Sequence, residues 1–278
     1  MNNNDSFNRI LAIAPLYIWQ FLFLIIPAIL LIFNGLFTKN TSTNIISFII
    51  ESGFIKTLFR SLFYSSVSAF ICLILGYMAV YCMFQINSFY RKICLFFLSI
   101  PFLMNFLIHM MSWLSILKPY STLSKILYKL KLLNVGGTIL YTQKAVIIGY
   151  VYCYLPFCIL PIYLSFPKMN LNFLRASYDL GGTRIQTFFK VLIPTTKNAI
   201  KNGFFLVFIP SFGEFIIPEI LGGDYFMLSG AALSSVLLNY SLIHNASFMT
   251  IIFILFLLLS SLIFNFIIEK LIYIMGKI

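Results

Sequence analysis

Six apolar stretches dominate this sequence, near residues 10–33, 60–84, 93–117, 143–166, 199–221 and 248–274. As an α-helix rising about 1.5 Å per residue, each is long enough to cross a hydrocarbon core of about 30 Å. Backbone groups cannot stay unpaired in lipid, and the stretches lack the alternating pattern of barrel strands. The sequence therefore predicts an all-α integral membrane protein, a six-transmembrane-helix bundle forming a single domain over residues 1–278. Composition agrees: 61% of the 278 residues are hydrophobic, 9% are charged, and the mean hydropathy is +0.98. One water-soluble core cannot hide that much apolar surface, so the lipid bilayer is the main solvent. The 32 phenylalanines fit an AT-rich coding bias that lipid tolerates.

The net charge of +12 does not point to nucleic acid, because the 19 lysines and arginines are scattered and no soluble basic domain presents them. Topology accounts for them better. With both termini in the cytoplasm the basic residues favour the inner side, but only weakly, since Lys118, Lys125, Lys129, Lys131 and Lys144 crowd one outer connection. Between those lysines Leu123, Ile126, Leu127, Leu130 and Leu133 recur at helical spacing, which reads as a short amphipathic helix on the membrane face or as an ordinary solvated connection. The polar N-terminus carries Arg9 ahead of an apolar run too long for a cleaved signal peptide, so it reads as a retained first span. Cys72, Cys82, Cys94, Cys153 and Cys158 lie in or beside apolar stretches without metal-ligand spacing and read as small core residues.

The longest inner connection, residues 167–198, is not a featureless polar loop. Leu174, Ser177, Leu180, Ile185, Phe188 and Phe189 fall at roughly helical spacing, Gly181-Gly182 interrupts them, and Pro194 follows. This predicts a helix, a sharp turn and a second helix heading toward the membrane. Such a knob either docks in a groove on another protein, with the glycine pair permitting the reversal, or lies on the membrane as a surface helix without a partner.

The segment resembles the EAA loop of ABC importer permeases, in which Glu-Ala-Ala precedes a Gly and then Ile-x-Leu-Pro. Here the corresponding residues are Arg175-Ala176-Ser177, Gly181 and Val191-Leu192-Ile193-Pro194, with matching spacing. Arg175 stands where the family usually has Glu, reversing a charge, although Asp179 lies one turn on. The resemblance covers approximately residues 15–270 and is strongest to spermidine/putrescine permeases. It rests on Ala145 to Gly149 with Tyr152, Leu155-Pro156-Phe157 and Pro161 to Tyr163. It rests also on Tyr178-Asp179-Leu180-Gly181 with Thr187-Phe188, and on the segment from Gly213 to Gly223.

This resemblance implies a MetI-like type I permease fold. It also implies a second, related permease, two ATP-binding subunits docked at the coupling helix and an extracytoplasmic substrate-binding protein. Arg175, Ala176, Ser177, Asp179, Gly181 and Pro194 are the implied ATPase-coupling residues. The chain itself is expected to bind no cofactor, with ATP and Mg²⁺ on the partner ATPases, and to work in the bacterial cytoplasmic membrane.

A polyamine passing through lipid needs compensation for ammonium charge stripped of water, at several kcal/mol per ion. Only seven acidic residues exist, and Glu214, Glu219 and Asp224 fall close together in the fifth span and its outer end. A carboxylate at that depth costs about 2.5 kcal/mol or more unless it is paired or faces water. Glu214 is the foremost candidate to contact a cation; the alternative is a structural carboxylate bonded to a neighbouring helix or a lysine. Glu219 and Asp224 read as further contacts or as a solvated rim. Trp113 and Tyr152, with Tyr150 and Tyr154, offer cation–π faces or else belong to packing and the interfacial belt. Pro210, Gly213 and Pro218 would loosen the hydrogen-bond ladder of a helix that lines a pathway.

His109 and His244 are isolated in the sequence, and no phosphate-binding glycine loop or hydrolase signature is present. The chain therefore reads as a non-catalytic transport subunit. Other cargoes, such as thiamine, ferric iron, sulfate or another organic cation, remain alternatives, as does an ATP-independent secondary transporter.

Overall fold

In a computed structural model, the residues described are 14–37, 45–131, 137–168, 171–223, 226–239 and 242–277. Every regular element among them is helical. In chain order these are α1 (Ala14–Phe33), α2 (Ile45–Glu51), α3 (Phe54–Gln85), α4 (Ser88–Leu103), α5 (Phe106–Leu117) and α6 (Thr122–Lys129). There follow α7 (Gln143–Ser165), α8 (Leu171–Asp179), α9 (Arg184–Thr187), α10 (Lys197–Gly213), α11 (Ser229–Leu237) and α12 (Ile243–Lys277). Among the described residues α1, α3, α7 and α12 are long and apolar enough to cross a membrane alone, and counting α4 with the helix that follows its 93° bend as one span gives five.

The chain divides into two compact units. One comprises Met1–Ile55 and Leu233–Leu255, the other Lys56–Ala232 and Phe256–Ile278. In the first, α1 contains a π-type turn at Phe21–Ile25, stacks Trp19 on Phe23 at 4.3 Å, and keeps its apolar side chains exposed. The second unit holds the core. There α7 and α10 approach closely because Gly203 has no side chain: a Cβ there would sit 3.2 Å from both the carbonyl oxygen and Sγ of Cys158. Small residues at such contacts let helices associate by close packing, which matters where lipid removes the hydrophobic drive between them. Phe204 and Phe208 stack on each other and meet Phe264 of α12 at 5.3 and 5.0 Å, so part of the phenylalanine excess fills this core.

Two expected spans are not continuous helices. The stretch 93–117 divides at Met104–Asn105, where the Asn105 side chain accepts the Leu107 amide at 2.9 Å and starts α5. Pro101, lacking an N–H, weakens the turn before the break. The stretch 199–221 divides at Glu214–Phe215 and resumes in a π-type turn at Pro218–Gly222. The connections at 34–59 and 222–247 contain α2 and α11. The N-terminus of α11 is held by α3: Ser229 donates its backbone N–H and its hydroxyl to Ser61 Oγ, both at 2.8 Å. The short helix expected among the outer lysines is α6, started by the Ser121 side chain on the Ser124 amide; Leu133 lies outside the described residues.

Candidate functional site

Two features of the second unit carry chemistry: the helix–turn–helix at 171–196 and a cavity between the broken helices. In the first, α8 ends as its glycine pair dictates. The Gly182 amide donates to Ser177 O and the Gly181 amide to Tyr178 O, both at 2.9 Å. This is the paired closure of a Schellman motif, which needs a left-handed residue at the position of Gly181, whose φ is +80°. Gly182 is constrained differently, since a Cβ would lie 2.7 Å from Ser177 O. The reversal is completed by a capping box in which Thr183 and Gln186 satisfy each other's amides and start α9. Ser177 Oγ and Thr187 Oγ1 share a 2.9 Å hydrogen bond that ties the two arms together.

The knob is fixed to the bundle at its root. Phe188 packs edge-on against Tyr77 and Tyr81 of α3 at 5.4 and 5.8 Å, and Tyr77 OH bonds Thr196 Oγ1 at 2.9 Å. Its tip is apolar and bare, with Leu180 88% and Ile185 71% exposed. Between the arms lies a groove of about 670 Å³ lined by Ala176, Ser177, Leu180, Gly182 and Pro194 among others. Of the predicted coupling residues, Ala176, Ser177 and Pro194 thus line this groove and Gly181 forms its turn. Arg175 and Asp179 are exposed on α8 and do not pair; among the described residues the one ion pair within 4 Å is Lys201–Glu269.

The second feature is a cavity of about 440 Å³, within the range of small-molecule sites. Both helix breaks open on it, through Met104 and Phe106 on one side and Gly213, Glu214, Phe215 and Ile216 on the other. Pro101, Pro156 and Pro210 also line it, each removing one N–H from the helix that bears it. Glu214 has extended backbone, and its Oε1 accepts the Phe215 and Ile216 amides at 3.1 and 2.9 Å. A carboxylate there complements the positive end of the short helix that follows. Its Oε2 accepts Tyr154 OH of α7 at 2.8 Å. Glu214 is therefore both a structural carboxylate bonded to a neighbouring helix and, among the described residues, the one carboxylate in a cavity wall with no lysine or arginine.

Tyr152 lines the same cavity, shares a 2.6 Å hydrogen bond with His109 Nε2, and meets the Trp113 ring edge-on at 5.0 Å. Trp113 therefore stands behind Tyr152 and does not line the cavity. Tyr150, considered alongside it, is fully buried and lies outside the lining. Glu219 is exposed and is not brought to the cavity, and Asp224 lies outside the described residues. Met104, Phe106 and His109 are the members sequence reasoning passed over, and Tyr154, offered as an aromatic face, lines the cavity as the donor to Glu214. His109 seemed isolated because its partner is 43 positions away. The signal that could have found it is a His within an apolar span that carries an Asn one turn and a Pro two turns before it.

Residues 73–272 match the family model described as binding-protein-dependent transport system inner membrane component. This chain belongs to that family. Membership makes it a transport permease component and a multi-pass protein of the inner membrane, as its apolar helices require. It is 32% identical over 241 residues to the spermidine/putrescine transport system permease protein PotB of Haemophilus influenzae, covering 84% of each chain. It is 29% identical over 229 residues to PotB of Escherichia coli, covering 80% of this chain and 83% of that one. A PotB homolog of Mycoplasma genitalium is 26% identical over 214 residues, 75% of this chain and 73% of the other. A bacterial ABC transporter involved in the import of the acidic polysaccharide alginate shares the fold, with a TM-score of 0.71, 14% identity and 96% coverage of both chains.

Proposed function

We propose that this permease is one transmembrane subunit of an ATP-driven importer that carries polyamines, putrescine or spermidine, across the cytoplasmic membrane. The observation that carries the cargo assignment is the 440 Å³ cavity with Glu214 in its wall and, among the described residues, no lysine or arginine there; its His109 is engaged through Nε2 with Tyr152 OH. An ammonium group entering such a space exchanges water for a carboxylate, the Tyr152 hydroxyl and aromatic faces, and cation–π contacts contribute about 0.5–2 kcal/mol each. An anionic solute would meet the Glu214 charge instead. The similarity to PotB proteins supports the same reading.

Energy enters through the knob at residues 174–194. Its bare Leu180 and Ile185, on a turn whose geometry is fixed by two glycines and a capping box, fit a rigid insert for the cleft of an ATP-binding subunit. The Tyr77 and Tyr81 contacts to Phe188 then pass movement of the insert to α3. The chain has no catalytic role; two partner ATPases hold ATP and Mg²⁺, a second permease completes the pathway, and an extracytoplasmic binding protein delivers cargo. Six spans with both termini in the cytoplasm, counting 93–117 and 199–221 as broken spans, give the knob access to those ATPases. Nucleotide binding opens the paired bundles outward and hydrolysis returns them, so the cavity alternates between the two sides.

The test is a solute panel. The reconstituted complex should accumulate labelled putrescine or spermidine with ATP and not sulfate or thiamine. Accumulation of sulfate in place of the polyamines would overturn the cargo assignment.

A further inference from the structure

Behind the knob a second cavity, of about 850 Å³, has the opposite electrostatic character. Lys190 comes to it from the knob's second arm, Lys197 and Lys201 from the first turns of α10, and Lys270 from the last turns of α12. Among the described residues Glu269 is the one carboxylate in its wall, and it already accepts Lys201 Nζ at 2.6 Å. Among the described residues no carboxylate lies within 4 Å of the other three lysines. Three separate segments therefore bring four lysines, three of them exposed, to the wall of one space with one counter-charge. A cleft lined by one sign of charge raises the local concentration of anions.

The rest of the wall selects the kind of anion. Phe266, 68% exposed, and Tyr273 flank the lysines, and α12 continues from them through exposed Leu258, Leu259, Leu262 and Ile263. Basic side chains at the end of a helix with an apolar exposed face suit a phosphate carried by acyl chains, with the lysine stems lying along the apolar surface. A free phosphate would use the lysines but gain nothing from Phe266 or from the face beyond it.

We infer that this cavity binds the phosphate of an anionic phospholipid. The bound headgroup would bridge the knob, α10 and α12, whose end already touches the knob: a Cβ on Gly276 would lie 3.4 Å from Pro194 Cγ. Because Lys190 and Pro194 belong to the segment proposed to couple ATP hydrolysis, an occupied site stiffens that segment, and this consequence rests on the coupling reading. Lipid binding itself does not.

Native mass spectrometry of the purified full chain, without ATPase subunits, separates the two. In mild detergent the wild type should retain phosphatidylglycerol at least about tenfold better than phosphatidylcholine. The Lys190→Gln/Lys197→Gln/Lys270→Gln variant should lose about a hundredfold in phosphatidylglycerol affinity, from a contribution of about fivefold per lysine. Lys118→Gln/Lys125→Gln, at lysines outside the cavity, should change nothing, and the triple arginine variant should restore binding. Glu269→Gln, which releases Lys201, should tighten it. Equal retention of the two lipids, or equal loss in the Lys118/Lys125 control, overturns the site. Inorganic phosphate binding to wild type but not to the triple glutamine variant, with no lipid preference, overturns the phospholipid as its source.

Discussion

Replacing Gly181 tests whether the knob's geometry, and not merely its presence, transmits work. At φ +80° this residue occupies left-handed backbone that costs an L-residue about 1–2 kcal/mol. An added Cβ would meet no atom within 4 Å, so backbone strain is the whole penalty of Gly181→Ala. A penalty of about 1–2 kcal/mol lowers the population of the formed turn about 5–30-fold relative to its open forms. Gly181→Asn should cost less, because Asn tolerates this region. Gly181→Pro should be the most severe: its φ is fixed near −65° and it removes the amide that Tyr178 O accepts. The assay is cargo-stimulated ATP hydrolysis by the reconstituted complex, with membrane-fraction yield reporting insertion. The expected order of coupling is wild type, Asn, Ala, Pro, with insertion unchanged and coupling abolished for Pro. Full coupling in Gly181→Pro would refute the reasoning, since no remaining conformation closes this turn.

Two further perturbations probe the bundle. Tyr154→Phe removes one of the donors on the Glu214 carboxylate, and a hydrogen bond to a charged group contributes about 1.5–3 kcal/mol, so the KM for polyamine uptake should change by about tenfold or more while assembly persists. Ser61→Ala leaves the buried Ser229 amide without its acceptor and should cost about 1–3 kcal/mol, whereas Ser229→Ala keeps that amide bonded and should cost less; thermal unfolding in detergent ranks the pair.

What could be read from the sequence follows how local each signal is. The knob was legible because its determinants lie within a few residues of one another: Gly181 and Gly182 end α8, Thr183 starts α9, and the apolar positions show helical spacing. The apolar setting of Glu214 was legible from its neighbours in the sequence. Its role in ending α10 was not, because the deciding bonds run from its own side chain to the next two amides, and Pro210 and Pro218 were equally plausible breakpoints. The break at Met104–Asn105 was hidden for a related reason: Asn105 caps α5 only once the chain has turned, and a lone Asn in an apolar run gives no period to read. Packing partners were the least legible. In a chain this apolar, lipid-facing and core-facing positions carry the same residue types, so hydrophobic periodicity does not reveal that α7 and α10 share the core. His109 and Tyr152 meet only because α5 and α7 are brought together by that packing.

The central claim is that a polycation passes a cavity organised by Glu214, and uptake of labelled putrescine by complexes carrying wild type, Glu214→Asp or Glu214→Gln tests it most directly. Glu214→Gln keeps the size of the side chain and an acceptor for the Phe215 and Ile216 amides but removes the charge. The account predicts that Glu214→Gln loses uptake while the complex still assembles and hydrolyses ATP, and that Glu214→Asp retains part of it. Wild-type uptake by an assembled Glu214→Gln complex would contradict it.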